Sequence, residues 1–159
     1  MSLILRQADQ ADIPAILGFI RDLADYEHLL PTVEATEERL RQTLFPAEGR
    51  PYAECVLALV DARPVGFALH FTSYSTFLAK PGLYLEDLFV QPAYRGRGIG
   101  RALVTHLARI ACERGYGRMD WTVLDWNSPA IAFYRSLGAD LIAEWRICRL
   151  TGPSLLRYA

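Results

Sequence analysis

Hydrophobic positions change their period twice along the chain. From residue 10 to 25, Ile13, Ile16, Leu17, Ile20, Leu23 and Ala24 recur at three- and four-residue spacing, the stripe of an amphipathic helix. Asp9 is a good N-cap for it. Pro14 falls in its first turn, where a missing N–H costs little. A short strand, Ile4 to Gln7, precedes this helix. Tyr26 to Thr32 reads as a loop broken by Pro31. Glu34 to Phe45 predicts a second helix with acids at its start, ended by Pro46 and Gly49.

The middle of the chain reads as strands. Glu54 to Val60 and Val65 to Tyr74 form an antiparallel pair around the turn Asp61-Ala62-Arg63-Pro64. After a loop from Ser75 to Gly82, Leu83 to Val90 is a third strand, apolar on both faces except at Glu86 and Asp87. The last third alternates. Gly100 to Glu113 is a helix with Leu103, Val104, Leu107 and Ala111 on one face, and Gly115 and Gly117 supply its exit. Met119, Trp121 and Val123 alternate along a strand. Ser128 is placed to cap a short helix with Pro129 at its first position, and Gly138 closes it. Leu141 to Leu150 reads as a final strand. The order β-α-α-β-β-β-α-β-α-β predicts an α/β chain, a mixed sheet with helices on both faces. With no repeat or linker, residues 1–159 are expected to form one domain.

Charge and composition narrow the function classes. Seventeen basic and eighteen acidic residues give a net charge of −1, which disfavours a general nucleic-acid binder. No apolar run approaches a membrane span. Met1 to Gln7 lacks the pattern of a signal peptide. Cys55, Cys112 and Cys148 are odd in number and far apart, and His28, His70 and His106 lack metal spacing. A cytoplasmic, metal-free protein is expected.

The sharpest local signal is Gln91 to Arg101, between a strand end and a helix start. Gly96, Gly98 and Gly100 allow tight turning and close approach of a ligand. The amides of the helix's first turn favour an anion. Arg95, Arg97 and Arg101 add charge for phosphates. It is not a Walker A loop, because no Gly-Lys-Ser/Thr follows. It is not the dinucleotide fingerprint, because Arg101 stands where the third glycine belongs.

Arg95-x-x-Gly98-x-Gly100 resembles the pyrophosphate loop of the GNAT acetyltransferase superfamily, and the element order is similar to that fold over nearly the whole chain. The resemblance implies the acyl-CoA N-acyltransferase fold, a mixed, mostly antiparallel sheet flanked by helices. It implies acetyl-CoA as donor, with its pyrophosphate on the backbone from Arg97 through Gly98, Ile99 and Gly100 to Arg101. Leu88, Phe89 and Val90 would then pair with the pantetheine arm and offer an N–H to the thioester carbonyl.

A narrower resemblance lies in Leu85-Glu86-Asp87-Leu88-Phe89-Val90, Tyr94-Arg95-Gly96 and Trp126-Asn127-x-Pro129-Ala130-Ile131-x-Phe133-Tyr134, with Leu23-Ala24-x-Tyr26-Glu27 near the start. These resemble the diamine (spermidine/spermine) N-acetyltransferase branch, which implies a homodimer acting on primary amines, including thialysine and other small amino compounds. It places Glu86 as the base. Two acids inside an apolar run are costly unless paired or used. An amine arriving as ammonium must lose a proton before it attacks a thioester, and a nearby carboxylate both accepts that proton and attracts the cation. A buried ion pair with an arginine is the other reading of Glu86 and Asp87. Adjacent strand residues are expected on opposite faces.

Asn127 either bonds an amide of CoA or caps its helix. Tyr134 is either a core tyrosine or the acid that protonates the departing thiolate. Tyr26 and Glu27 wall the amine pocket in the family, with Asp22 and Asp25 nearby. Glu144 matches another acidic position of the branch. The apolar stretch His28-Leu29-Leu30-Pro31 departs from the more acidic polyamine enzymes and leaves a smaller or single-amine substrate open. A small-molecule amine is therefore the expected partner. Protein lysine acetylation and a non-catalytic CoA-binding sensor are the alternatives.

Overall fold

The structure is a computed structural model that describes residues 2–159. They fall into two compact units, the first reaching Thr122 and the second running Val123–Ala159. The first holds a five-stranded sheet in the order β1-β2-β3-β4-β5. Its strands are β1 (Leu3–Gln7), β2 (Glu54–Val60), β3 (Arg63–Ser75), β4 (Lys80–Val90) and β5 (Met119–Asp120). The first four are antiparallel, and β5 joins β4 in parallel. Both faces are covered. On one lie α1 (Ile13–Tyr26) and α2 (Glu37–Leu44), and on the other α3 (Ile99–Glu113).

This two-sided cover explains the unbroken apolar run of β2. Cys55, Leu57 and Leu59 pack under α1 and α2, whereas Val56, Ala58 and Val60 pack under α3. Phe19 of α1 stacks on Phe67 of β3 with ring centroids 5.6 Å apart. The start of α1 is fixed to β1 by Arg6, which donates to both Asp12 oxygens at 2.7 and 2.9 Å. Those bonds hold the Asp12 carboxyl below its usual range. On the far face Arg114, just past α3, donates to both Glu54 oxygens at 2.6 and 2.9 Å, tying the end of α3 to β2.

Several boundaries differ from the sequence reading. A 3-10 turn, Gln10–Asp12, precedes α1, and Asp9 caps that turn in a capping box with Asp12. Thr36 caps α2 and delays its start to Glu37. The β3–β4 connection is a tight hairpin, because both strands extend into the expected loop. β5 keeps only two residues, paired with Leu83 and Tyr84 of β4. In the second unit α4 (Ser128–Ser136) is capped by Asn127, whose side-chain oxygen accepts the Ala130 N–H at 3.4 Å, so Ser128 is not the cap. A short α5 (Pro153–Leu156) follows.

The expected final strand over Leu141 to Leu150 does not form. That segment is exposed coil with a turn at Ala143 and Glu144. Leu141, Ala143, Trp145 and Ile147 recur at the two-residue spacing of a pleated surface, but a strand requires a paired edge to satisfy its amides, and none among the described residues pairs with it.

Candidate active site

The site is built at the end of β4. Leu69 of β3 stands opposite Asp87 and His70 opposite Leu85, so Glu86 is an extra residue in the ladder. The slip is visible in packing. Leu83 and Leu85 face α3, and so do Leu88 and Val90, while Phe89 faces α1. Alternation counted forward from Leu85 puts Glu86 on the α1 face. Counted back from Leu88, it puts Asp87 there too. The two acids therefore share a face, contrary to the simple two-residue period, because the inserted residue resets the pleat.

Glu27, the residue after α1, belongs to the same group. Burial pushes the Asp87 carboxyl up to about 6, and the negative charges of Glu86 and Glu27 push in the same direction. Burial also raises Glu27. Glu86 is exposed and Asp87 half-buried. No arginine or lysine forms a salt bridge with any of the three among the described residues, so the buried ion pair is not found. A cation placed beside Asp87 and Glu27 would relieve the cost of their burial.

β4 also presents an open edge. β5 pairs with it only at Leu83 and Tyr84, so from Leu85 to Val90 that edge has no strand partner among the described residues. The Gln91 N–H donates to Val65 C=O at 2.9 Å, with Val90 opposite Gly66 and Phe89 opposite Phe67. Antiparallel alternation then turns the N–H and C=O groups of Leu88 and Val90 away from β3, toward the open edge. Gly66 is required here: a Cβ on it would lie 2.7 Å from the Phe89 carbonyl oxygen.

Beyond β4 the chain makes a 3-10 turn, Pro92–Tyr94, and enters the glycine loop. Gly96 and Gly98 adopt φ of 72° and 79°, a left-handed conformation that side chains resist, and nothing lies within 4 Å of a Cβ built on either. Gly98 is the N-cap of α3, and the first intrahelical bond is Ala102 N–H to Gly98 C=O at 2.9 Å. The amides before it have no acceptor within the helix. Arg97 lies over the Tyr94 ring, 5.3 Å from its centroid. The Arg95 guanidinium turns back onto Tyr26, Phe89 and the Val90 carbonyl.

The second unit holds the other expected residues. Asn127 is buried at the head of α4. Tyr134 is half-buried, its ring 5.3 Å from that of Phe133. Glu144 lies on the exposed turn.

The Acetyltransferase (GNAT) family profile matches residues 20–139. The chain belongs to the GNAT acetyltransferase family. It is 35% identical to the thialysine N-epsilon-acetyltransferase of Bos taurus, over 98% of this chain and 96% of the relative. It is 33% identical to the L-ornithine N5-acetyltransferase of Arabidopsis thaliana, over 95% of this chain and 85% of the relative. Among solved structures, an integron cassette protein from the mobile metagenome of V. cholerae superposes with a TM-score of 0.80 at 29% identity, covering 99% of this chain and 98% of that one. An aminoglycoside acetyltransferase from a soil metagenome, 21% identical with a TM-score of 0.74 over 94% of this chain and 95% of that one, shares the fold. The chain is accordingly a GNAT acetyltransferase, with the mixed, helix-flanked sheet of that fold.

Two features of this GNAT site went unread in the sequence. The shared face of Glu86 and Asp87 had a signal: the apolar positions run 83, 85, then 88, 90, a slip of one residue. The stacking of Arg95 on Tyr26 had none, because the two are 69 residues apart and meet only when α1 packs on β4.

Proposed function

We propose that the protein transfers the acetyl group of acetyl-CoA to a primary amine of a small diamine or thialysine-like amino compound, by direct attack in a ternary complex. The observation that carries this reading is the group of three carboxylates, Glu27, Glu86 and Asp87, with no salt-bridge partner among the described residues, beside the open edge of β4. Relatives named for thialysine and ornithine support an amino-compound acceptor. The outward backbone of Leu88 and Val90, with Phe89 between them, suits the pantetheine arm. The backbone of Gly96 to Arg101 suits the pyrophosphate. Asn127 caps α4 through its side-chain oxygen, and its side-chain amide is the proposed contact to CoA.

Tyr26, Glu27, Asp87 and Glu144 are the proposed amine contacts. Glu86, exposed on the acceptor face, takes the proton from the ammonium. The freed nitrogen attacks the acetyl carbon, the C–N bond forms, and the C–S bond breaks. The thiolate takes its proton from the Tyr134 hydroxyl, and the second proton shed by the acylated nitrogen restores that phenol through solvent. A homodimer in the cytoplasm completes the reading.

The test is CoA release across a panel of ornithine, thialysine, putrescine and spermidine, with the acetylated nitrogen identified. One of the first three should be the best acceptor. Glu86→Gln should lower kcat/KM by about 10- to 1000-fold near neutral pH. The deficit should shrink as pH approaches the amine's own pKa, where free amine needs no base. CoA binding without turnover of any amine would leave a sensor instead.

A further inference from the structure

Arg95 opens the glycine loop, where its charge alone suggests a phosphate ligand. Its side chain is engaged elsewhere. The guanidinium carbon lies 5.1 Å from the centroid of the Tyr26 ring and 5.4 Å from that of Phe89. Nε donates to the Val90 carbonyl at 2.8 Å. Both ring distances fall within the range of cation–ring attraction. The contacts reach two separate elements, the last residue of α1 and the end of β4, and the carbonyl is the last outward one on the open edge.

The end of α1 has reason to be held. Glu27 follows Tyr26 directly, and its charge raises the pKa of Asp87 on β4. Like charges across the gap between α1 and β4 push those elements apart. The next residue, His28, carries a left-handed φ of 60°, so the chain leaves α1 through a turn that a non-glycine residue adopts at a cost. A cation laid across Tyr26 and bonded to Val90 opposes that separation one residue from Glu27.

We propose that Arg95 is a positioning residue that clamps the last turn of α1 to the end of β4, and so fixes the amine-binding wall relative to the strand edge that receives acetyl-CoA. This rests on the proposed function for its kinetic consequence, but the clamp is a property of the fold and is tested without turnover. A lysine at this position keeps a cation for a phosphate but loses the Nε donor and the flat stacking surface.

The experiment compares Arg95→Lys, Arg95→Gln, Tyr26→Leu and the Arg95→Gln/Tyr26→Leu pair in the full chain. Three quantities are measured: amide hydrogen exchange, CoA affinity by calorimetry, and KM for the best amine of the panel. Both Arg95 variants and Tyr26→Leu should speed exchange of residues 27–29 by about tenfold. The double variant should be no faster than the faster single one. CoA affinity should stay within about threefold while amine KM rises about tenfold. Unchanged exchange in Arg95→Gln would overturn the clamp, and so would exchange that rises throughout the chain. A CoA affinity that falls tenfold or more in Arg95→Gln, is restored by Arg95→Lys and comes with unchanged amine KM would make Arg95 a phosphate ligand. If no amine is turned over, the proposed function fails, while exchange and CoA affinity still decide the clamp.

Discussion

Asp87 carries two opposed demands. A carboxylate that attracts an ammonium must be charged, yet burial and the neighbouring Glu86 and Glu27 hold its pKa at about 6 against an ordinary 3.8. The folded state therefore binds this proton more tightly than the unfolded state. Above about pH 6 both states are ionised, and the fold bears the full cost of the charge. Between about pH 6 and 4 only the folded state is protonated, so this group's cost disappears as pH falls. Asp87→Asn should consequently stabilise the protein at pH 8 by about 1–2 kcal/mol, less than the full linkage value because the side chain is only half-buried. The advantage should vanish near pH 4, which melting temperatures at the two pH values would show. The amine KM of the variant should rise at the same time, since the acceptor site loses a charge. The residue types and their order were legible in the sequence. Their common face departs from the two-residue period, because the ladder carries an extra residue at Glu86.

Helices were the most legible elements. The stripes of α1 and α3 give strong helical periodicity; Asp9 caps the 3-10 turn that leads into α1, and Gly98 and Gly115 bound α3. The glycine loop owes its reading to Gly96 and Gly98, whose left-handed φ values are observed. Gly98→Ala and Gly98→Asp should lose similar stability, about 1 kcal/mol, because both force a side chain into that conformation. Only Gly98→Asp should abolish CoA affinity, by setting a negative charge before the α3 amides. Calorimetry with CoA on both folded variants checks this; equal affinity would remove the loop from the site. On the opposite side of the sheet, Arg114→Ala should lower the urea midpoint by an amount equivalent to about 1 kcal/mol. It leaves Glu54 beside β3 without its bidentate partner. Glu54 is held below its usual pKa chiefly by that pair. Its contribution should therefore fade as pH drops through the acid range, and Arg114→Ala and wild type should converge there.

At the scale of the whole molecule, the segment beyond residue 140 is marked by its exposed apolar side chains. Leu141, Ile142, Trp145, Ile147 and Leu150 are all exposed, Trp145 at 82%. So many large apolar side chains in one exposed stretch are unusual for a free monomer. With the resemblance to a dimeric branch, they lead to the expectation of a homodimer. Sedimentation at micromolar concentration should give twice the 17.9 kDa chain mass, and Trp145→Glu should shift it toward the monomer. A wild-type mass near 17.9 kDa would reject the dimer.

The sequence by itself determined the element types wherever the period was long and turn residues bounded it: α1, α3, the β2–β3 pair and the glycine loop. It also determined the chemistry available, because carboxylates and glycines at those positions have few other uses. Those features are local, set by neighbours three or four residues away. Tertiary structure alone decided three things. It set how many residues of a strand pattern become strand, since Leu141 to Leu150 pairs with no strand among the described residues, and β5 stops at two residues. It buried Asp87 and brought Glu27 toward it and Glu86, and burial first, then those two charges, raised the Asp87 pKa. It turned Arg95 from the loop onto Tyr26 and the Val90 carbonyl. Each depends on partners far away in the chain, and the energies of pairing, burial and charge are fixed only when those partners meet.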